Sequence, residues 1–143
     1  MPIRRCVPAD IPRLKQIRGS VRENILSPGR VSDADYAWFV AHGPVWAWDD
    51  GTSILGFSAG DPRNGSVWAL FVHPDHEGRG IGRALLAQAC ASLEAAGHRS
   101  ATLETKEGTR AAGFYLRQGW TAGDRDAAGH LGFSRVLPPQ PGS

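Results

Sequence analysis

A chain of 143 residues is the size of one compact domain and too short for two of ordinary size. Hydrophobic residues make up 41% and charged residues 21%, enough for one apolar core, and a formal charge of +2 gives no basis for a nucleic-acid or membrane-surface partner. The two cysteines, Cys6 and Cys90, have neither the spacing of a disulfide scaffold nor that of a zinc site. Met1-Pro2-Ile3-Arg4-Arg5 lacks the apolar run of a signal peptide, and no stretch approaches a membrane span. A cytoplasmic protein with reduced thiols is expected.

Residues 3–7 form a short strand candidate closed by Pro8. Asp10 can cap a helix with Pro12 in its tolerated first turn, and Ile11, Leu14, Ile17 and Val21 recur at helical spacing. That helix should end near Asn24. Ser32 or Asp33 starts a second short helix carrying Tyr36, Phe39 and Val40, stopped at His42-Gly43-Pro44. Residues 45–48 read as a strand, Asp49-Asp50-Gly51 as a hairpin turn, and residues 54–59 as the next strand. After the turn at residues 61–65, residues 66–73 form a strand with Trp68, Leu70 and Val72 on one face and Val67, Ala69 and Phe71 on the other. Apolar residues on both faces predict a central strand covered on both sides. Ile81, Leu85, Ala89 and Leu93, four apart, make one helical face, and Gly97 ends that helix. Residues 101–105 form a strand. Thr109 can cap a helix with Phe114, Tyr115 and Leu116 that ends at Gly119. Residues 120–122 and 131–136 give two last strands, and Pro138-Pro139-Gln140-Pro141-Gly142-Ser143 a disordered tail. The order is β-α-α-β-β-β-α-β-α-β-β, a mixed sheet with helices packed on it.

Gly78, Gly80 and Gly82 follow a buried strand and open a helix. Glycine permits positive φ and close approach of a ligand, and the first turn of a helix offers unpaired amides at the positive end of its dipole. Such a turn suits a phosphate, although a plain glycine-rich connection uses the same residues. A dinucleotide fingerprint fits less well, because its third glycine falls at Leu85. Glu104, ending the next strand, does stand about where a ribose-binding acid would. A Walker loop is excluded, since no Gly-Lys-Ser/Thr occurs.

The run Leu70-Phe71-Val72-His73-Pro74-Asp75-His76-Glu77-Gly78-Arg79-Gly80-Ile81-Gly82-Arg83-Ala84-Leu85-Leu86 resembles the acetyl-CoA motif of the GNAT N-acetyltransferase superfamily. Ala111-Ala112-Gly113-Phe114-Tyr115-Leu116-Arg117-Gln118-Gly119-Trp120 is similar to its second signature, and the element order matches from residue 3 to 136. The resemblance implies an α/β (α+β) fold: a mixed, mostly antiparallel twisted sheet flanked by helices, one domain over residues 1–137. It implies that the backbone of Leu70, Phe71 and Val72 pairs with the pantetheine arm where the fourth and fifth strands splay. The amides from Gly78 through Arg79, Gly80, Ile81 and Gly82 to Arg83 would hold the pyrophosphate, and Tyr115 would lie beside the coenzyme sulfur. Two departures stand out. Glu77 replaces the family's usual Gln or Arg and should point to solvent, and Gly108 replaces a frequent Asn.

The implied reaction is transfer of an acetyl group from acetyl-CoA, the cosubstrate, to a primary amine by direct attack in a ternary complex. With reference pKa values of about 8.5 for a thiol and about 10 for tyrosine, neutral Tyr115 can protonate the leaving thiolate. The family's usual carboxylate position falls in Ser66-Val67-Trp68, so no base is obvious. Glu104 and Glu23 are the candidates, with His73 a turn histidine first. His73, Asp75, His76 and Glu77 read as a solvated turn, and no metal is expected. Trp46, Trp48 and Trp68 could line a substrate pocket, but on successive strands they read first as core and are assigned no function. In the family, the first two helices and their connection select the acceptor, which here points to Glu23, Asn24 and Tyr36. Glu23, Asp33 and Asp35 would favour a cationic amine or serve only as helix-end polarity. A small-molecule amine is the expected partner, with no nucleic acid or membrane, and a homodimer is compatible but not required. A protein-lysine or N-terminal acceptor, or a coenzyme-A-binding module with little catalysis, are the alternatives.

Overall fold

The computed structural model describes residues 2–20, 32–106, 110–125 and 130–137. The expected tail at 138–143, the end of the first helix at Asn24 and the cap at Thr109 lie outside the described residues. Among the described residues seven strands form one sheet in the order β1-β2-β3-β4-β5-β7-β6, and every pairing is antiparallel except β4 with β5. The strands are β1 (Ile3–Arg5), β2 (Val45–Asp49), β3 (Ile54–Asp61), β4 (Ser66–Val72), β5 (Ser100–Lys106), β6 (Thr121–Arg125) and β7 (His130–Val136). The helices are α1 (Ile11–Ser20), α2 (Asp33–His42), α3 (Ile81–Ala95) and α4 (Arg110–Arg117). Among the described residues no helix is long and apolar enough to cross a membrane.

Local chemistry explains most of the boundaries. Ser32 Oγ accepts from the Asp35 amide at 3.2 Å while Asp35 Oδ2 accepts from the Ser32 amide at 2.8 Å, a reciprocal box that starts α2. Gly97, at φ +97°, follows α3, and Gly119, at φ +89°, follows α4, both as the left-handed residue after a helix. Asp10 behaves differently from the expected helix cap. Residues Pro8–Asp10 form a 3-10 turn leading into α1, and the Asp10 carboxylate accepts from the Val7 amide at 2.8 Å and from the two terminal guanidinium nitrogens of Arg4 at 2.9 and 3.1 Å. Arg4 also donates to Asp49 at 2.9 Å, so the turn, β1 and β2 are fastened together.

Two apolar layers cover the sheet. On one face Ile81, Leu85, Ala89 and Leu93 of α3, all buried as the four-residue spacing predicts, pack with Leu55, Val67, Leu70, Leu103, Tyr115 and Phe133. Buried Ser58 Oγ donates to the Leu85 carbonyl at 2.8 Å and so satisfies a polar group inside this layer. On the other face Leu14 and Ile17 of α1 and Tyr36 and Phe39 of α2 pack on Phe57, Ala59, Ala69 and Phe71. Strand β4 is therefore covered on both faces. Each fully buried Leu or Ile here contributes about 1.5–3 kcal/mol.

The faces of β4 are not the simple alternation expected from sequence. Ala59 pairs with Ala69, but Gly60 pairs with Val67, so β4 holds one extra residue, Trp68. This β-bulge reverses the alternation on its far side. Val67 joins Leu70 and Val72 on the α3 face, while Trp68 goes with Ala69 and Phe71 on the face of α1 and α2. The last hairpin also departs from chain order. It places β7 inside, against β5, and leaves β6 at the edge.

Candidate functional site

Strands β4 and β5 are joined by the crossover through α3, and their ladder holds a single register pair, Ser66 with Thr102. The Thr102 amide donates to the Gly65 carbonyl at 3.1 Å at the same end. Beyond this point the two strands part, forming a fork in the middle of the sheet. Leu70, Phe71 and Val72 lie on the diverging arm and pair on their other edge with Ser58, Phe57 and Gly56 of β3.

The arm runs into a 3-10 turn at Pro74–His76 and then into the glycine turn. His73 caps that 3-10 turn, its Nδ1 accepting from the Asp75 amide at 3.2 Å, as a turn histidine should. Gly78 and Gly80 both have φ +80°, a conformation costly for any residue with a Cβ. Gly80 is the N-cap of α3 with no side-chain cap, and the first intrahelical bond is from the Ala84 amide to the Gly80 carbonyl at 3.1 Å. The amides of Ile81, Gly82 and Arg83 precede it and form the orphan set of a helix start. Arg79, Arg83 and Glu77 are exposed. A Cβ at Gly82 would stand 3.6 Å from Val72 and 3.7 Å from Phe114, so the helix start, the end of β4 and α4 converge.

Tyr115 of α4 is wholly buried on the α3 face. Its ring lies 5.4 Å from Phe114, 6.0 Å from Trp120 and 5.7 Å from Phe133, centroid to centroid. Glu104 of β5 is on the opposite face of the sheet, exposed, and lines a groove of about 480 Å³ beside the fork. Trp68 forms part of the groove wall, placed there by the bulge. Its indole stacks on Phe39 at 3.9 Å and 12° and meets the ring of Tyr36 edge-on at 5.6 Å. The tryptophan read as core from sequence is thus half-buried and lines the groove. The apolar run around it hides the bulge, since a strand covered on both faces carries no alternation to break.

Tyr36, expected to touch the acceptor, is only 3% exposed and backs Trp68 rather than lining the groove. Asp33 pairs with Lys15 at 2.7 Å and Asp35 belongs to the box at the start of α2, so both do helix-end work. Glu23 and Asn24 lie outside the described residues. Asp61, at the groove end, is nearly buried. Burial pushes its carboxyl up, but a two-point pair with Arg63, both contacts at 2.9 Å, more than offsets this and holds it below the ordinary aspartate value. Burial pushes the Cys6 thiol up to about 12 and the Cys90 thiol up to about 11, so neither supplies a thiolate nucleophile near neutral pH.

The fold is similar to several solved acetyltransferases. A ribosomal-protein-alanine N-acetyltransferase from Brucella melitensis superposes with a TM-score of 0.78 at 18% identity, over 96% of this chain and 100% of that one. A phosphinothricin acetyltransferase from Sinorhizobium meliloti, solved in complex with acetyl-CoA, gives 0.76 at 19% identity over 99% and 95%. An N-acetyltransferase from Staphylococcus aureus gives 0.75 at 15% identity over 95% and 98%. No curated protein matches the sequence significantly. The family model of the acetyltransferase (GNAT) domain matches residues 41–122, more than half of the chain and the whole stretch from the end of α2 through the fork to the start of β6, and the chain belongs to the GNAT acetyltransferase family.

Proposed function

We propose that this acyltransferase moves the acetyl group of acetyl-CoA to the primary amine of a small molecule, by direct attack in a ternary complex. The observation that carries the reading is the β4–β5 fork, with the first turn of α3 and Tyr115 on one face and the groove with Glu104 on the other. A thioester threaded into the fork is reached by its acid from one side and by the acceptor from the other. The backbone of Leu70, Phe71 and Val72 pairs with the pantetheine arm. The amides from Gly78 to Arg83 hold the pyrophosphate without help from exposed Glu77. The structure of the Sinorhizobium neighbour with acetyl-CoA supports this choice of donor.

In this reading the Glu104 carboxylate accepts a proton from the incoming ammonium, directly or through one water. The freed amine attacks the thioester carbonyl, the C–S bond breaks as the Tyr115 hydroxyl donates its proton to the departing sulfur, and the second proton that the nitrogen loses on becoming an amide restores the tyrosine through water. The Brucella neighbour is named for alanine of a ribosomal protein, which makes a peptide amino terminus the competing acceptor. Thermal shift with acetyl-CoA, NAD and ATP, followed by a thiol-release assay over an amine and a peptide panel, tests the proposal. Stabilisation by acetyl-CoA with release driven by small amines is expected. Stabilisation by NAD and not by acetyl-CoA would overturn it.

A further inference from the structure

The groove beside the fork has a composition that selects among amines. Of its two aromatic residues Phe133 is buried in the α3-face layer and Trp68 is half-buried at the surface, and among the described residues Glu104 is its one carboxylate outside an ion pair, because Asp61 is already matched by Arg63. The register explains why these two face the same opening. Ser66 and Thr102 are paired, Trp68 and Glu104 each stand two residues further along their strands, and there the strands have separated. The indole is held rigidly, stacked on Phe39 and braced edge-on by Tyr36. Opposite it the surface is low. Thr102 and Ser134 are small, and an added Cβ at Gly132 would meet nothing within 4 Å. A rigid aromatic wall beside a flat floor is a slot for a planar body, and one carboxylate in the lining, unpaired among the described residues, suits one ammonium. The volume of about 480 Å³ is that of a small-ligand site.

We infer that Trp68 and Glu104 select the acceptor, and that the groove takes a small arylalkyl ammonium, its planar body on the indole and its nitrogen beside Glu104. The inference rests on the acetyl-transfer reading for the fate of that nitrogen, but not for its binding. Trp68 is in this sense a specificity residue: it holds the acceptor's body, while Glu104 meets the reacting nitrogen.

Calorimetric titration of the protein with 2-phenylethylamine and with n-butylamine reads the groove without needing turnover. Phenylethylammonium should bind about tenfold tighter than butylammonium, the scale of one well-formed ring contact plus the extra apolar area covered. Trp68→Leu should erase that gap, and Trp68→Phe, which keeps the stack on Phe39, should retain most of it. Glu104→Gln should weaken both amines by a similar factor. Equal binding of the two amines, a gap that survives in Trp68→Leu, or tighter binding of an alanine-led tetrapeptide would each overturn the inference. A thermal shift with acetyl-CoA and a thiol-release assay on the same preparation test the other reading separately. If both fail while the phenylethylammonium preference holds, acetyl transfer is wrong and the groove assignment stands.

Discussion

Replacing Tyr115 by Phe removes one oxygen from the α3-face layer and leaves the ring where it is. The aromatic contacts to Phe114, Trp120 and Phe133 at 5.4, 6.0 and 5.7 Å are made by the ring and persist in the variant. The change in folding stability should therefore stay within about 1 kcal/mol, the scale of a single hydroxyl. The effect on chemistry should be larger. General acid catalysis is worth roughly 10²–10⁴ in rate. A coenzyme thiol has a pKa of about 8.5, so its thiolate leaves without assistance more readily than an alkoxide would, which favours the lower end of that range. We expect kcat to fall about a hundredfold, about 2.7 kcal/mol in activation free energy, with the acetyl-CoA dissociation constant within about twofold of wild type. Stopped-flow or steady-state thiol release gives kcat, and calorimetry gives the affinity. A kcat within threefold of wild type in a variant that binds acetyl-CoA normally would remove Tyr115 from the mechanism.

Other changes test the frame around the site. Gly80→Ala meets no atom within 4 Å, so its cost is the φ of +80° alone, about 1–2 kcal/mol, and it should also weaken acetyl-CoA binding measured by calorimetry. Gly82→Ala, whose Cβ makes ordinary contact with Val72 and Phe114, should raise helix stability by about 0.5–1 kcal/mol in thermal unfolding. Gly60→Ala would put a Cβ 2.7 Å from the Leu93 side chain under the bulge, and overpacking of about 1–3 kcal/mol should lower the denaturation midpoint. The Asp10 carboxyl is held below the ordinary aspartate value by its hydrogen bonds from Arg4, which with the Val7 amide outweigh burial. Its contribution is thus full above about pH 4 and is lost as pH falls through its depressed folded-state value, and Asp10→Asn should flatten that part of the stability–pH curve.

The parts legible in the sequence were those written in backbone chemistry or local periodicity. Gly78, Gly80, Gly97 and Gly119 mark left-handed positions because little else adopts them, and the spacing of Ile81, Leu85, Ala89 and Leu93 is that of a single buried helix face. The parts that were not legible depend on distant strands. The bulge at Trp68 exists only relative to the register of β3, and no glycine or proline in β4 announces it. Asp10 looks like a helix cap until Arg4 folds across it. The inward placement of β7 follows from its pairing with β5, seven residues deep, against which the order of the chain carries no weight. The burial of Tyr36 behind Trp68 was not legible either, because a helix pattern gives the face of a residue but not what stands in front of it.

This division runs through the site itself. The parallel β4–β5 pair in a sheet otherwise antiparallel is where strand direction switches, and α/β folds bind ligands at such crevices beyond the carboxyl ends of the strands. The crossover that makes the pair parallel also places the start of α3 beyond the end of β4, so the fork and the anion cradle are products of one connection. The proposed donor half is built from amides and glycines on that connection, and a motif of contiguous residues can specify it. The acceptor half that we propose is built from Trp68, Glu104 and the flat surface of β7, brought together from three strands. Nothing in the donor half constrains which side chains stand at those positions. Acceptor choice can therefore change by substitution at Trp68 or Glu104 without disturbing the coenzyme cradle, and the affinity for acetyl-CoA and the preference among amines should vary independently across variants of this chain.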